Sequence, residues 1–266
     1  MKCFFLFFSF IFLISCENQP PDGYYSDKST TQIKIDTTSK KVIKKVFKKT
    51  NLLTNQNVKK KLIDFGIENK EEKVLIRTKF GDIKIRLYKN TPLHRANFIL
   101  LAKRNFFDST IFYRVIRNFM IQGGNSDKNN MLQKMAKIGL YRVPPEINPK
   151  NIHKRGALAM AVQEQYYEDP SKINLSSSPY NFYIIQKGPL SDNYMDEIEI
   201  KYNIKIPEIN RKIYRKLGGS PHLDNEYTVF GEVISGLSIV DKISKQITNG
   251  KNRPLNNIYL SVEVME

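Results

Sequence analysis

Beyond residue 73 the chain is dominated by eight short runs rich in β-branched and aromatic residues, each bounded by turn-forming residues. The first two, at 74–78 and 83–87, flank Lys79-Phe80-Gly81-Asp82, and the second alternates apolar and polar strictly. That is the pattern of a hairpin with one buried face. Further strands are expected at 110–116, 119–123, 156–161, 182–186, 228–233 and 258–264. Thr91-Pro92 reads as the cap and first residue of a helix, where proline sacrifices no hydrogen bond. Ala96, Phe98, Ile99, Leu101 and Ala102 make that helix mostly apolar. Another helix is expected at about 237–245 and a short leading one at 58–70. Eight strands and few helices predict a mainly β fold, a closed barrel with helical caps, since closure leaves no strand edge unpaired. Residues 189–217 break the strand pattern. Met195, Ile198, Ile200, Tyr202, Ile206, Ile209 and Tyr214 recur at mainly helical spacing, Pro207 divides them, and Gly218-Gly219 ends them. The segment reads as a helical insertion.

The formal net charge is +17. Such an excess suits nucleic acid only if it forms a patch with stacking aromatics. Residues 26–61 hold 11 lysines against 2 aspartates, so more than half of the excess sits in one stretch, with Phe47 its one aromatic. This reads as a basic tether, and no nucleic-acid partner is expected. Within it, residues 42–49 place apolar pairs four apart, as a basic helix lying on an anionic membrane does; a solvated tether gives the same spacing by chance.

The amino end reads as an address. Lys2 precedes an apolar run from Phe4 to Ile14, too short to span a bilayer and suited to a signal-peptide core. It ends in Leu13-Ile14-Ser15-Cys16, which resembles the lipobox of bacterial lipoproteins. The resemblance implies a signal peptide at 1–15, a lipidated Cys16, a tether at 16–57 and a folded domain at 58–266. It further implies a lipid-anchored protein of the cell envelope, at the outer membrane facing the periplasm. Cys3 and Cys16 are the two cysteines of the chain. Loss of Cys3 with the signal would leave neither an internal disulfide nor a thiolate metal site. His94, His153 and His222 lie far apart in sequence, so no metal site and no cofactor are expected.

Residues 112–124, Phe-Tyr-Arg-Val-Ile-Arg-Asn-Phe-Met-Ile-Gln-Gly-Gly, carry the most information about chemistry. On a regular strand Phe112, Arg114 and Ile116 share one face. A cation there is either a snorkelling surface residue or a functional group beside an apolar pocket. The stretch resembles the signature of the cyclophilins, peptidyl-prolyl cis/trans isomerases. The resemblance extends from about Val74 to Val264 and includes Gly81-Asp82-Ile83, Thr91-Pro92 with Asn97-Phe98, 156–161, Phe182-Tyr183-Ile184, Leu223-Asp224 and Thr228-Val229-Phe230-Gly231. It implies an eight-stranded antiparallel barrel with two capping helices. It also implies that Arg114 is the catalytic arginine, with Gln122 beside it, and that Phe119, Met120, Tyr183 and Leu223 wall a proline pocket. Tyr183 falls where the family has a phenylalanine. Tyr227 stands where many members have histidine, and His222 where some have tryptophan. Asn181 replaces a usual glutamine, with Pro179-Tyr180 before it, and Val162 an asparagine.

These readings together give a membrane-anchored isomerase of Xaa-Pro bonds that assists the folding of exported polypeptides. The departures at Val162, Asn181 and Pro179-Tyr180 give the alternative, a binding module or chaperone that holds Pro-containing segments with little turnover. A third reading makes the insertion a docking surface. Oligomeric state is not specified by any pattern in the chain.

Overall fold

Val74, Ile76, Ile83 and Ile85 share one face of the expected hairpin, and all four side chains are fully buried. They begin the interior of a barrel. The computed structural model describes residues 52–126, 130–162 and 175–266. Cys16, the signal peptide and the basic segment 42–49 lie outside the described residues.

Strands β1 (Lys73–Thr78), β2 (Gly81–Leu87), β3 (Thr110–Ile116), β4 (Met120–Asn125), β5 (Ala157–Val162), β6 (Ser177–Ile185), β7 (Val229–Ser235) and β8 (Tyr259–Met265) make up the sheet. It closes in the order β1-β2-β7-β5-β6-β4-β3-β8. Every neighbouring pair is antiparallel. This is the expected closed eight-stranded antiparallel barrel.

Alternation along each strand sorts side chains between two clusters. On β6, Phe182 and Ile184 enter the interior, whereas Tyr183 and Ile185 join a smaller group outside with Met120, Ala157, Ala159 and Val229. The interior is aromatic: Phe98 lies 4.9 Å from Phe107, 5.5 Å from Phe182 and 5.4 Å from Phe230, between ring centres.

Six helices accompany the sheet among the described residues: α1 (Val58–Glu68), α2 (Pro92–Lys103), α3 (Asn130–Ile138), α4 (Asp192–Tyr202), α5 (Glu208–Leu217) and α6 (Leu237–Ser244). Helix α2 packs on β6, β8 and α1, and α6 packs on β2, β3 and β4. Nine of the twelve α2 residues are buried, more than a single amphipathic stripe supplies, because barrel and α1 cover it together. Helices α4 and α5 form the insertion. They have a core of their own in Leu190, Met195, Ile198, Ile206 and Tyr214, joined by Ile152 from the barrel side. Gly218 ends α5 at φ +89°, and a Cβ there would fall 2.1 Å from the Gly188 carbonyl, so a glycine closes the neck of the insertion.

The structure corrects three expectations. The folded unit begins before residue 58: Leu53 is buried and its N–H donates to Ile138 O, at 2.9 Å. Strand β6 begins at Ser177, not 182, since Ser177 pairs with Val162. Phe112 and Arg114 do not share a face. Phe112 pairs with Gly123 and Arg114 with Gln122, so Tyr113 is an extra residue on β3 and the alternation resets across it. Phe112 therefore enters the interior while Arg114 and Ile116 face outward.

Candidate active site

The outer face of β3, β4, β5 and β6 carries an open cavity of about 670 Å3. Its cation is Arg114, turned outward by the Tyr113 bulge. Arg114 Nη1 donates to Gln122 Oε1 at 3.2 Å, and Gln122 Nε2 donates to the Tyr113 hydroxyl at 2.6 Å. Burial holds the Tyr113 phenol up at about 12, so it stays protonated and neutral near pH 7. Among the described residues lining the cavity none is acidic. The guanidinium is thus oriented by a neutral amide and keeps N–H groups for a ligand.

The apolar wall comes from several elements. Phe119 and Met120 arrive at the start of β4, Tyr183 on β6, and Leu223 at the end of the 3-10 turn Pro221–Leu223, with Tyr227 just after it. Asn181 and Val162 complete the far side; Asn181 Oδ1 is buried with no hydrogen-bond partner among the described residues. All eight residues expected from the sequence at this site line the one cavity: Arg114, Gln122, Phe119, Met120, Asn181, Tyr183, Leu223 and Tyr227.

Two participants were not expected. Tyr113 orients Gln122, and its only sequence signal is its place beside Arg114. His153 is fully buried behind the cavity floor. Its ring stacks on Tyr183 at 6.0 Å and 9°, and its Nε2 lies 3.0 Å from the Tyr183 hydroxyl. Its Nδ1 lies 2.9 Å from Asp224 Oδ1, and Asp224 Oδ2 accepts from the Tyr214 hydroxyl at 2.6 Å. His222 lies at the rim, stacked on Phe119 at 5.7 Å and on Tyr202 at 4.8 Å.

A second histidine chain has the outline of a hydrolase triad. His94 Nδ1 lies 2.7 Å from Glu146 Oε2, and its Nε2 lies 3.0 Å from Ser177 Oγ. Both His94 and Ser177 are fully buried, so no substrate reaches the hydroxyl. Glu146 also accepts from the N–H groups of Leu93 and His94, each at 2.9 Å. Its role is to satisfy the open amino end of α2.

A cation beside an apolar slot, with no carboxylate, histidine, serine or cysteine among the described lining residues, suits a reaction that moves electron density without breaking bonds. Comparison with known proteins points the same way. The family model for cyclophilin type peptidyl-prolyl cis-trans isomerase/CLD matches residues 73–264. A Staphylococcus aureus protein named "Putative peptidyl-prolyl cis-trans isomerase" is 29% identical over 202 residues, covering 75% of this chain and 95% of its own. A Staphylococcus haemolyticus protein of the same name is 26% identical over 200 residues, 74% of this chain and 93% of its own. Among solved structures, a Cryptosporidium parvum cyclophilin type peptidyl-prolyl cis-trans isomerase, crystallised in the presence of the dipeptide Ala-Pro, shares the fold. Its TM-score is 0.50 at 21% identity, over 73% of this chain and 99% of that one.

Proposed function

This chain belongs to the cyclophilin-type peptidyl-prolyl cis-trans isomerase family, and from that premise we propose that Arg114 and the slot beside it perform the isomerisation. The barrier to rotation about a prolyl amide is ~18–20 kcal/mol and comes from C–N resonance. Uncatalysed exchange takes roughly tens to hundreds of seconds. When the amide twists, conjugation is lost and the nitrogen lone pair localises. A guanidinium N–H aimed at that lone pair binds the twisted state more tightly than the planar one, which lowers the barrier. Arg114 supplies the N–H, and Gln122, held by Tyr113, fixes its direction. Phe119, Met120, Tyr183 and Leu223 grip the pyrrolidine ring while the preceding carbonyl rotates. Asn181 and Tyr227 contact the flanking chain.

The observation that carries this reading is the bulge at Tyr113, which sets Arg114 and its amide partner on the wall that holds the apolar slot. Xaa-Pro segments are the substrates this reading implies, in keeping with the Ala-Pro dipeptide named for the Cryptosporidium structure. Cis/trans exchange in a proline tetrapeptide, measured with the full chain and with Arg114→Ala, tests it. The variant should stay folded and lose about a hundredfold in kcat/KM, as for a deleted transition-state donor. Full activity in Arg114→Ala would refute the assignment. Peptide binding without turnover by the unsubstituted chain would return the binding-module reading.

We further propose that the enzyme is lipid-anchored through Cys16 in the cell envelope and acts on exported polypeptides. The support is the sequence Leu13-Ile14-Ser15-Cys16 after an apolar run, followed by a basic stretch.

A further inference from the structure

The phenylalanine-to-tyrosine change at position 183 puts a hydroxyl at the floor of an apolar slot. Tyr183 is almost wholly buried, so an unmet hydroxyl there would destabilise the floor or turn the ring. The structure meets it from behind. One imidazole bridges the carboxylate and the phenol: His153 Nδ1 lies 2.9 Å from Asp224 Oδ1 and its Nε2 lies 3.0 Å from the Tyr183 hydroxyl. Burial pushes the Tyr183 phenol well above its ordinary value, which keeps it a donor. Asp224 in turn accepts from the His153 backbone N–H at 2.8 Å, from His153 Nδ1 at 2.9 Å and from the Tyr214 hydroxyl at 2.6 Å.

Tyr214 belongs to α5, in the insertion, and its ring sits in the insertion's own core. The chain of contacts therefore starts outside the barrel and ends at the slot. A second link runs beside it, from Tyr202 at the end of α4 through His222 to Phe119. Both links end on a wall of the slot.

We propose that Tyr214 is a positioning residue for the isomerase, acting through Asp224 and His153 on the hydroxyl of Tyr183. On this view the insertion holds the floor of the slot in place. The proposal rests on the reading of Tyr183 as a slot wall.

A double-mutant cycle in the full chain tests it, with kcat/KM on a proline tetrapeptide measured well below the unfolding midpoint. Tyr214→Phe keeps the ring in the insertion core and removes only the hydroxyl. It should lower kcat/KM by about three- to tenfold, the range expected for one lost buried hydrogen bond. The same substitution in a Tyr183→Phe background should cost nothing further, because the last link is already gone. A general loss of structure would not depend on the Tyr183 hydroxyl. Equal losses in both backgrounds, or no loss in either, would overturn the proposal. Arg114→Ala serves as the control. If it abolishes turnover while the two Tyr214→Phe losses are equal, only the positioning role falls. If it leaves kcat/KM intact, the site reading falls and this proposal with it.

Discussion

At the rim of the slot the imidazole of His222 lies between the rings of Tyr202 and Phe119, and this dry setting changes its acid–base behaviour. Burial lowers its pKa from 6.5 to about 4; His153, Lys187 and Lys201 push the same way, and Asp224 opposes them. The neutral ring is thus favoured in the folded state. Its contribution to stability is complete above pH 6.5 and is lost as the pH falls toward 4, because the unfolded chain takes up a proton that the folded one refuses. The unfolding midpoint of the native chain should therefore drop further between pH 7 and pH 5 than that of His222→Phe; equal drops would sink this account. At this scale the sequence was legible where a residue keeps its chemistry whatever its neighbours. Arg114 and Gln122 met because their strands pair, and the signature carried both. His153 was not legible, because its partners come from positions 183 and 224, and only the closed barrel brings them together.

Strand irregularities decide which way the functional side chains face. The extra residue Tyr113 on β3 is opposed by a skip at Gly124 on β4, and the two restore register within a few residues. Gly124 has φ +97°, and a Cβ there would fall 1.9 Å from Tyr180 O. Gly124→Ala should cost roughly 1–3 kcal/mol from backbone strain alone, before any clash is counted. It should also weaken turnover, since Gln122 lies two residues away on the same strand. Denaturant midpoints and tetrapeptide exchange measure both, and an unchanged midpoint would contradict the strain argument. Bulges are hard to read from one sequence, because a regular strand and a bulged one have the same composition. Helix α3 went unread for a different reason. Met131, Met135 and Ile138 pack on the core at helical spacing, but over nine residues, amid asparagine and lysine, so the period is only two turns long. The start of β6 was hidden by Ser177-Ser178-Pro179, which reads as a loop; there Pro179 offers its carbonyl to Asn97 Nδ2 at 2.6 Å.

The architecture as a whole was readable because eight runs with turn residues between them suit a closed barrel, and the resemblance implied the same eight-stranded fold. The insertion was readable too, by its change of period. Its two links to the slot were not, since they join Tyr202 and Tyr214 to residues distant in kind as well as in place. No helix among the described residues is long and apolar enough to cross a membrane; the proposed attachment rests on Leu13-Ile14-Ser15-Cys16. Cys16→Ala should move the protein from the membrane fraction to the soluble one, read by fractionation of expressing cells. Retention in the membrane fraction would shift the weight to the basic segment 42–49 or to an uncleaved signal. One feature of the barrel bears on how such a chain comes into being. Strand β1 pairs along its whole length with β8, from Lys73 with Met265 to Thr78 with Leu260. A ribosome makes the amino end first, so β1 can pair with β2 at once but waits for its other neighbour until residues 260–265 have been made. The barrel is sealed only once β8, the last of its strands in chain order, has been made, however early its other strands are ready.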